Sequence, residues 1–136
     1  MSSETTEEKI LSQYRHIAMV GASPNSERPS YVVNAYLTDN GYQVIPVNPG
    51  VDKILGKTSY PDLSSIPEKV EVVDIFRKSE DVPPIIEEAI KIGARAVWMQ
   101  EGVINEEAGR RAKDAGLMVV MNQCMRKEHL RIHEKS

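Results

Sequence analysis

Five short apolar runs recur along the chain, at 17–20, 43–47, 70–76, 94–99 and 117–121, each carrying Val, Ile or Met. They are continuous rather than alternating, which is the pattern of strands covered on both faces in a parallel sheet. Between them lie helical candidates at 31–39, 81–92 and 106–115. Each ends within two residues of Gly41, Gly93 or Gly116, and glycine is the residue expected just past a helix end. Two more helices are predicted to flank these units, at 4–14 and 125–133. The phrase "helix, Gly, strand" repeats as it does in βα units and predicts an α/β fold, a doubly wound domain with a five-stranded parallel sheet. With no linker, repeat or low-complexity tract visible, one domain is expected over 1–136, its core at about 14–132.

The segment 48–69 breaks the plan. It carries Asn48-Pro49-Gly50, Gly56, Pro61 and Pro67, and leaves room only for a turn of helix around 62–66. A functional loop or covering segment is expected there.

In doubly wound sheets ligands bind beyond the carboxyl ends of the strands, where the strand order reverses. The loops 21–30, 48–57, 76–78 and 100–102 should therefore converge on one cleft. The first is the most informative, because the run His16–Val20 ends abruptly in Gly21-Ala22-Ser23 and a helix follows near Ser30. Glycine lets a ligand approach the main chain, and a helix N-terminus offers unpaired N–H donors and the positive end of a dipole. An anion such as a nucleotide pyrophosphate suits that place. Ser23, Ser26, Arg28 and Ser30 add hydroxyls and a guanidinium suited to phosphate oxygens. The same residues also allow a plainer reading, with Ser30 as helix cap and Arg28 as a solvated loop residue.

A dinucleotide site is the obvious alternative, in an NAD(P)-binding oxidoreductase fragment or redox sensor. Its glycine fingerprint needs two further glycines and an acid at the end of the second strand. After Gly21 the chain runs Ala22-Ser23-Pro24-Asn25-Ser26, and the second strand ends in Val47-Asn48-Pro49. Both requirements fail.

Composition narrows the partners. Seventeen basic against twenty acidic residues give a formal charge of −3, so no global basic surface points to nucleic acid. No apolar run approaches the roughly 18 residues of a membrane span, and the N-terminus is polar and acidic rather than a targeting segment. One cysteine excludes an intrachain disulfide framework, and the three histidines lack zinc-ligand spacing. A cytoplasmic protein binding a small nucleotide ligand is expected, with a protein partner left open.

Five strand-end motifs then carry a resemblance. Val20–Ser23, Val44–Pro49 with Leu55-Gly56, Val72 with Asp74–Arg77, Trp98–Gly102 and Asn122–His129 resemble the small single-domain CoA-binding proteins. These in turn resemble the CoA-binding N-terminal domain of the succinyl-CoA synthetase alpha subunit. The resemblance implies a Rossmann-like fold and coenzyme A, or an acyl-CoA, as ligand. It implies that Gly21, Ala22 and Ser23 meet the pyrophosphate, with Arg28 and Ser30 as further phosphate contacts. Val47, Asn48 and Pro49 would lie beside the adenosine, with Lys53 or Lys57 reaching a phosphate. Phe76 and Arg77 would flank the adenine. Trp98, Gln100 and Gly102 would wall the pantetheine arm, although plain core packing is the competing reading of Phe76 and of Trp98. The phosphorylated histidine of the synthetases lies in a second domain outside this match. No nucleophile, acid–base pair or metal set is legible at a strand end, so binding without chemistry is expected. Cys124 stays open between a packed side chain and a reactive thiol at a helix N-terminus near Arg126, Lys127 and His129.

Overall fold

A computed structural model describes residues 4–134. In chain order the strands are β1 (His16–Val20), β2 (Gln43–Val47), β3 (Lys53–Ile54), β4 (Lys57–Thr58), β5 (Val72–Ile75), β6 (Ala96–Met99) and β7 (Met118–Val120). The helices are α1 (Thr6–Gln13), α2 (Pro29–Asp39), α3 (Val82–Lys91), α4 (Glu106–Asp114) and α5 (Met125–Glu134). Five strands form one parallel sheet in the order β2-β1-β5-β6-β7, as the apolar runs predict.

Alternation along each strand splits the core into two layers. Ala18, Val73, Ile75, Val97 and Met99 pack against Val82, Ile86 and Ala89 of α3 and Ala108 and Ala112 of α4. Ile17, Met19, Val72, Ala96 and Trp98 face the other way, onto α1, α2 and α5 through Ile10, Leu11, Val33, Leu37 and Met125. The sheet is thus dry on both sides, which is why its strands read as unbroken apolar runs. The crossover through α2 lies on one face and those through α3 and α4 on the other, so the order reverses between β1 and β5. That is the switch point at which ligands enter such sheets.

Helix starts follow local chemistry. Thr5 and Glu8 form a reciprocal capping box on α1, and Asn105 accepts from the Ala108 N–H at the start of α4. Helix α2 departs from expectation: Pro29 takes its first turn, Arg28 is the N-cap residue, and no side chain caps it. Ser30 is therefore not the cap but a buried residue inside the first turn. Proline at the first helical position sets this boundary, because its fixed φ suits the helix and it has no N–H to leave unpaired.

The segment 48–69 contains the expected single turn of 3₁₀ helix, Leu63–Ser65, capped by Asp62. It also holds a hairpin that the sequence reading takes as loop. Strands β3 and β4 pair antiparallel across Leu55 (φ 51°) and Gly56 (φ 74°). Positive φ at both central residues is the geometry of a two-residue hairpin turn matched to strand twist. The hairpin shields the outer edge of β2. Lys57 Nζ donates to the Val44 carbonyl (3.1 Å), Tyr60 N–H to that of Pro46 (3.0 Å), and Pro46 itself offers no N–H. An edge strand so covered makes a poor template for another chain.

Candidate functional site

At the switch point the chain leaves β1 and β5 side by side. The Gly21 N–H donates to the Val47 carbonyl (3.1 Å), and the Phe76 N–H donates to that of Val20 (2.8 Å). Gly21 has φ +89°, and a Cβ there would run into the Phe76 carbonyl group, 2.9 Å from its carbon. Only glycine lets the two strand ends leave this close together. The loop that follows is folded by its own side chains: Ser23 Oγ accepts from the Asn25 N–H and Asn25 Oδ1 from the Glu27 N–H, both at 3.0 Å. It delivers the chain to α2, whose first turn carries neither a side-chain cap nor an acidic residue. Pro29 has no N–H, and those of Tyr31 and Val32 donate to the Arg28 carbonyl (3.1 and 3.2 Å), so the Ser30 N–H and the helix dipole are what this end offers an anion.

Asn48 ties the loop after β2 to this one. Its Nδ2 donates to the Ala22 carbonyl (2.8 Å) and its Oδ1 accepts from the Gly50 N–H (2.7 Å). Across the site, Asn122 Oδ1 accepts from the Gly102 N–H (2.7 Å), joining the loops after β6 and β7.

A cleft of about 590 Å³ opens here, lined by Pro29 and Val33 of α2, Phe76 and Arg77 after β5, Gln100 after β6, and Cys124. Its size suits a small-molecule site. Lys78, Asp81, Glu101 and Val103 complete it. Arg77 contacts Asp81 at 3.2 Å with both side chains well exposed, a pairing too weak to keep the guanidinium from a ligand phosphate. Lys127 holds Glu101 at 3.0 Å.

Beneath the rim the chemistry changes. Gln100 is only 3% exposed, and its Nε2 donates to Asp74 Oδ1 at 2.7 Å. Asp74 is fully buried in β5, in register with Met19 on one side and Trp98 on the other. Its Oδ2 has no hydrogen-bond partner among the described residues. Burial pushes its carboxyl up to about 7, against the opposing effect of the Gln100 bond.

The structure brings Phe76, Arg77 and Gln100 together as walls of the cleft, with Gly21, Ala22, Ser23, Asn48 and Gly102 in the loops that frame it. Arg28 is exposed at the head of α2, Pro49 is exposed beside Asn48, and Val47 is buried at the end of β2. Lys53 lies exposed on the hairpin and does not line the cleft. Lys57 is turned away altogether. Its ammonium is held by Thr38 Oγ1 (2.8 Å) and the Val44 carbonyl in a separate cavity outside β2, where burial lowers its pKa. Trp98 is no wall of the cleft, since it is wholly buried in the core with its indole N–H bound to the Gln123 carbonyl (2.8 Å). The sequence reading overlooks Asp74 as a site residue, although an acid inside the apolar run Val72–Phe76 was the signal.

Comparison with known proteins meets this geometry. The CoA binding domain family model matches residues 15–130. A hypothetical protein from Pyrococcus horikoshii OT3 superposes with a TM-score of 0.92 at 45% identity, covering 96% of this chain and 93% of that one. An uncharacterized Bacillus subtilis protein, YneT, is 37% identical over 121 residues, 89% of this chain and 90% of its own length. The ADP-forming acetate–CoA ligase II of Archaeoglobus fulgidus is 29% identical over 101 residues, which span 73% of this chain but only 15% of the ligase. With a family match across nearly the whole doubly wound unit, from just before β1 into α5, the chain belongs to the family of CoA-binding domains.

Proposed function

We propose that this protein binds coenzyme A or an acyl-CoA in the cleft at the switch point and does so without chemistry of its own, as a sensor, carrier or regulatory module. The observation that carries the reading is the cleft itself. It combines a helix N-terminus with no side-chain cap, Phe76 and Arg77 in its lining, and a polar floor at Gln100, inside a chain of the CoA-binding domain family. Gly21–Ser23 and the head of α2 would meet the pyrophosphate, Phe76 and Arg77 the adenine, and Gln100 the pantetheine arm. Asn48 disfavours the dinucleotide reading, because its amide is spent on Ala22 and Gly50 where an NAD site would present an acid to the ribose hydroxyls.

Calorimetric titration with CoA, NAD and NADP tests this. CoA should bind clearly better than either dinucleotide, and Arg77→Ala should cost about 1.5–3 kcal/mol of that affinity, the range for hydrogen bonds to charged groups. Tight NAD binding with no response to CoA would overturn the reading.

A further inference from the structure

We propose that Asp74 is a positioning residue that sets which end of the Gln100 carboxamide faces the cleft, so that binding a carbonyl-bearing anionic ligand there is linked to proton uptake. The proposal rests on the cleft reading above and adds the regulation of that site.

The geometry allows two states. With Asp74 ionised, Gln100 Nε2 donates to Oδ1, as observed at 2.7 Å, which leaves Gln100 Oε1 as the amide atom that can accept from a ligand. That leaves the carboxylate buried, with Oδ2 unpaired and one hydrogen bond to hold a full charge, an expensive arrangement. When Asp74 takes a proton from solvent, the new O–H needs an acceptor. A half-turn of the Gln100 amide supplies Oε1 to it and leaves the Nε2 donors to the cleft. The two orientations differ only by exchange of amide O and N, so little else moves. The ionised state thus offers the ligand an acceptor and the protonated state a donor.

No charged partner rescues the carboxylate. Its strand neighbours are Met19 and Trp98, and the helices covering that face bring Val33 and Asn34 of α2 and Met125 of α5. The Arg126 guanidinium of α5, its Nε buried without a hydrogen-bond partner among the described residues, bears on Tyr36. Arg77, Lys78, Asp81 and Glu101 belong to the cleft lining above it, with Lys127 engaged by Glu101. Burial holds the Asp74 carboxyl at about 7, within reach of ordinary pH. A ligand with amide or thioester carbonyls selects the donor-presenting state, and its phosphates further disfavour a carboxylate beneath them. Both effects favour proton uptake and tighter binding at lower pH.

The test is calorimetric titration with CoA at pH 6, 7 and 8, in buffers of different ionisation enthalpy, on wild type, Asp74→Asn and Gln100→Met. If binding raises the Asp74 midpoint by about one unit, wild-type affinity falls about fivefold more from pH 6 to pH 8 than that of Asp74→Asn. Groups common to the three proteins and the ligand contribute alike and cancel. Gln100→Met should bind more weakly and lose the excess pH dependence. Its survival in Gln100→Met would show a simple field effect and overturn the proposal, as would identical profiles for wild type and Asp74→Asn. A ligand-free readout separates this from the CoA reading: the Gln100 side-chain amide resonances should shift with a midpoint near 7 and stay fixed in Asp74→Asn. If they titrate but no protein binds CoA, the CoA reading fails and the Asp74 switch stands. If they are invariant in wild type, the switch fails whatever CoA does.

Discussion

Replacing Gly21 by alanine isolates the contact that shapes the cleft, because the molecule carries its own control. Gly21 and Gly41 share φ +89°, but a Cβ at Gly41 meets nothing within 4 Å, whereas at Gly21 it meets the Phe76 carbonyl and lies 3.1 Å from Arg77 Cδ. A left-handed backbone costs an L-residue about 1–2 kcal/mol, and this cost is common to both positions. The collision at Gly21 adds an overpacking cost of about 1–3 kcal/mol, since the obstructing atoms are backbone and can yield only by parting the ends of β1 and β5. Gly41→Ala should therefore lose about 1–2 kcal/mol and Gly21→Ala about 2–5 kcal/mol. Urea denaturation followed by the Trp98 fluorescence gives both values, with unchanged slopes as the check that the transition stays two-state. CoA binding should vanish or fall sharply in Gly21→Ala and survive in Gly41→Ala. Equal destabilisation of the two variants, or full CoA affinity in Gly21→Ala, would refute the close approach of the two strand ends as the origin of the cleft.

Cys124 lines the cleft, so oxidised CoA should form a mixed disulfide with it faster than oxidised glutathione does, the thiolate displacing CoA thiol from the S–S bond. Intact-mass analysis with Cys124→Ser as control reads this, and equal rates for the two disulfides would deny a directed encounter. Acid stability should depend on Glu71. Burial would raise its carboxyl, but N–H bonds from Arg15 and His16 and the His16 ring outweigh it and hold the group at about 2. A depressed carboxyl stabilises the fold above its unfolded value and loses that contribution as pH falls from about 4.5 towards 2. Melting temperatures across that window should therefore drop more steeply in wild type than in Glu71→Ala, and parallel curves would count against the assignment.

The sheet is legible in the sequence because a strand buried on both faces needs an unbroken apolar run, and only five segments supply one. Depth along a strand is not legible. Trp98 and Gln100 lie two residues apart on one face, and the family resemblance implies a ligand contact for both. The structure sinks Trp98 beneath the helices that cover the sheet and places Gln100 where that cover ends. Lys57 was misplaced for another reason. Its direction depends on the register of a two-strand hairpin whose turn, Leu55-Gly56, puts an unfavoured leucine at positive φ and so hides its own signal. Ser30 has the composition of a cap, but Pro29 starts the helix two residues earlier than a cap at Ser30 would.

The motifs that were legible are those in which the backbone demands a residue type, and the site follows from them in sequence. β1 and β5 are neighbours, yet their crossovers leave on opposite faces of the sheet, so the chains must diverge just past Val20 and Ile75. Gly21 permits that divergence from close contact, and Asn48 binds the loop after β2 to the one after β1. The resulting cleft reaches down to the last residues of the strands, so a side chain on their upper turns can be sealed in apolar surroundings and still communicate with the opening. Asp74 occupies that level. An acid there costs stability that Val or Ile would not, and its one hydrogen bond runs to the one buried amide that also lines the cleft. A purely structural strand would gain by losing it. The proposed role of Asp74 in the cleft accounts for that cost.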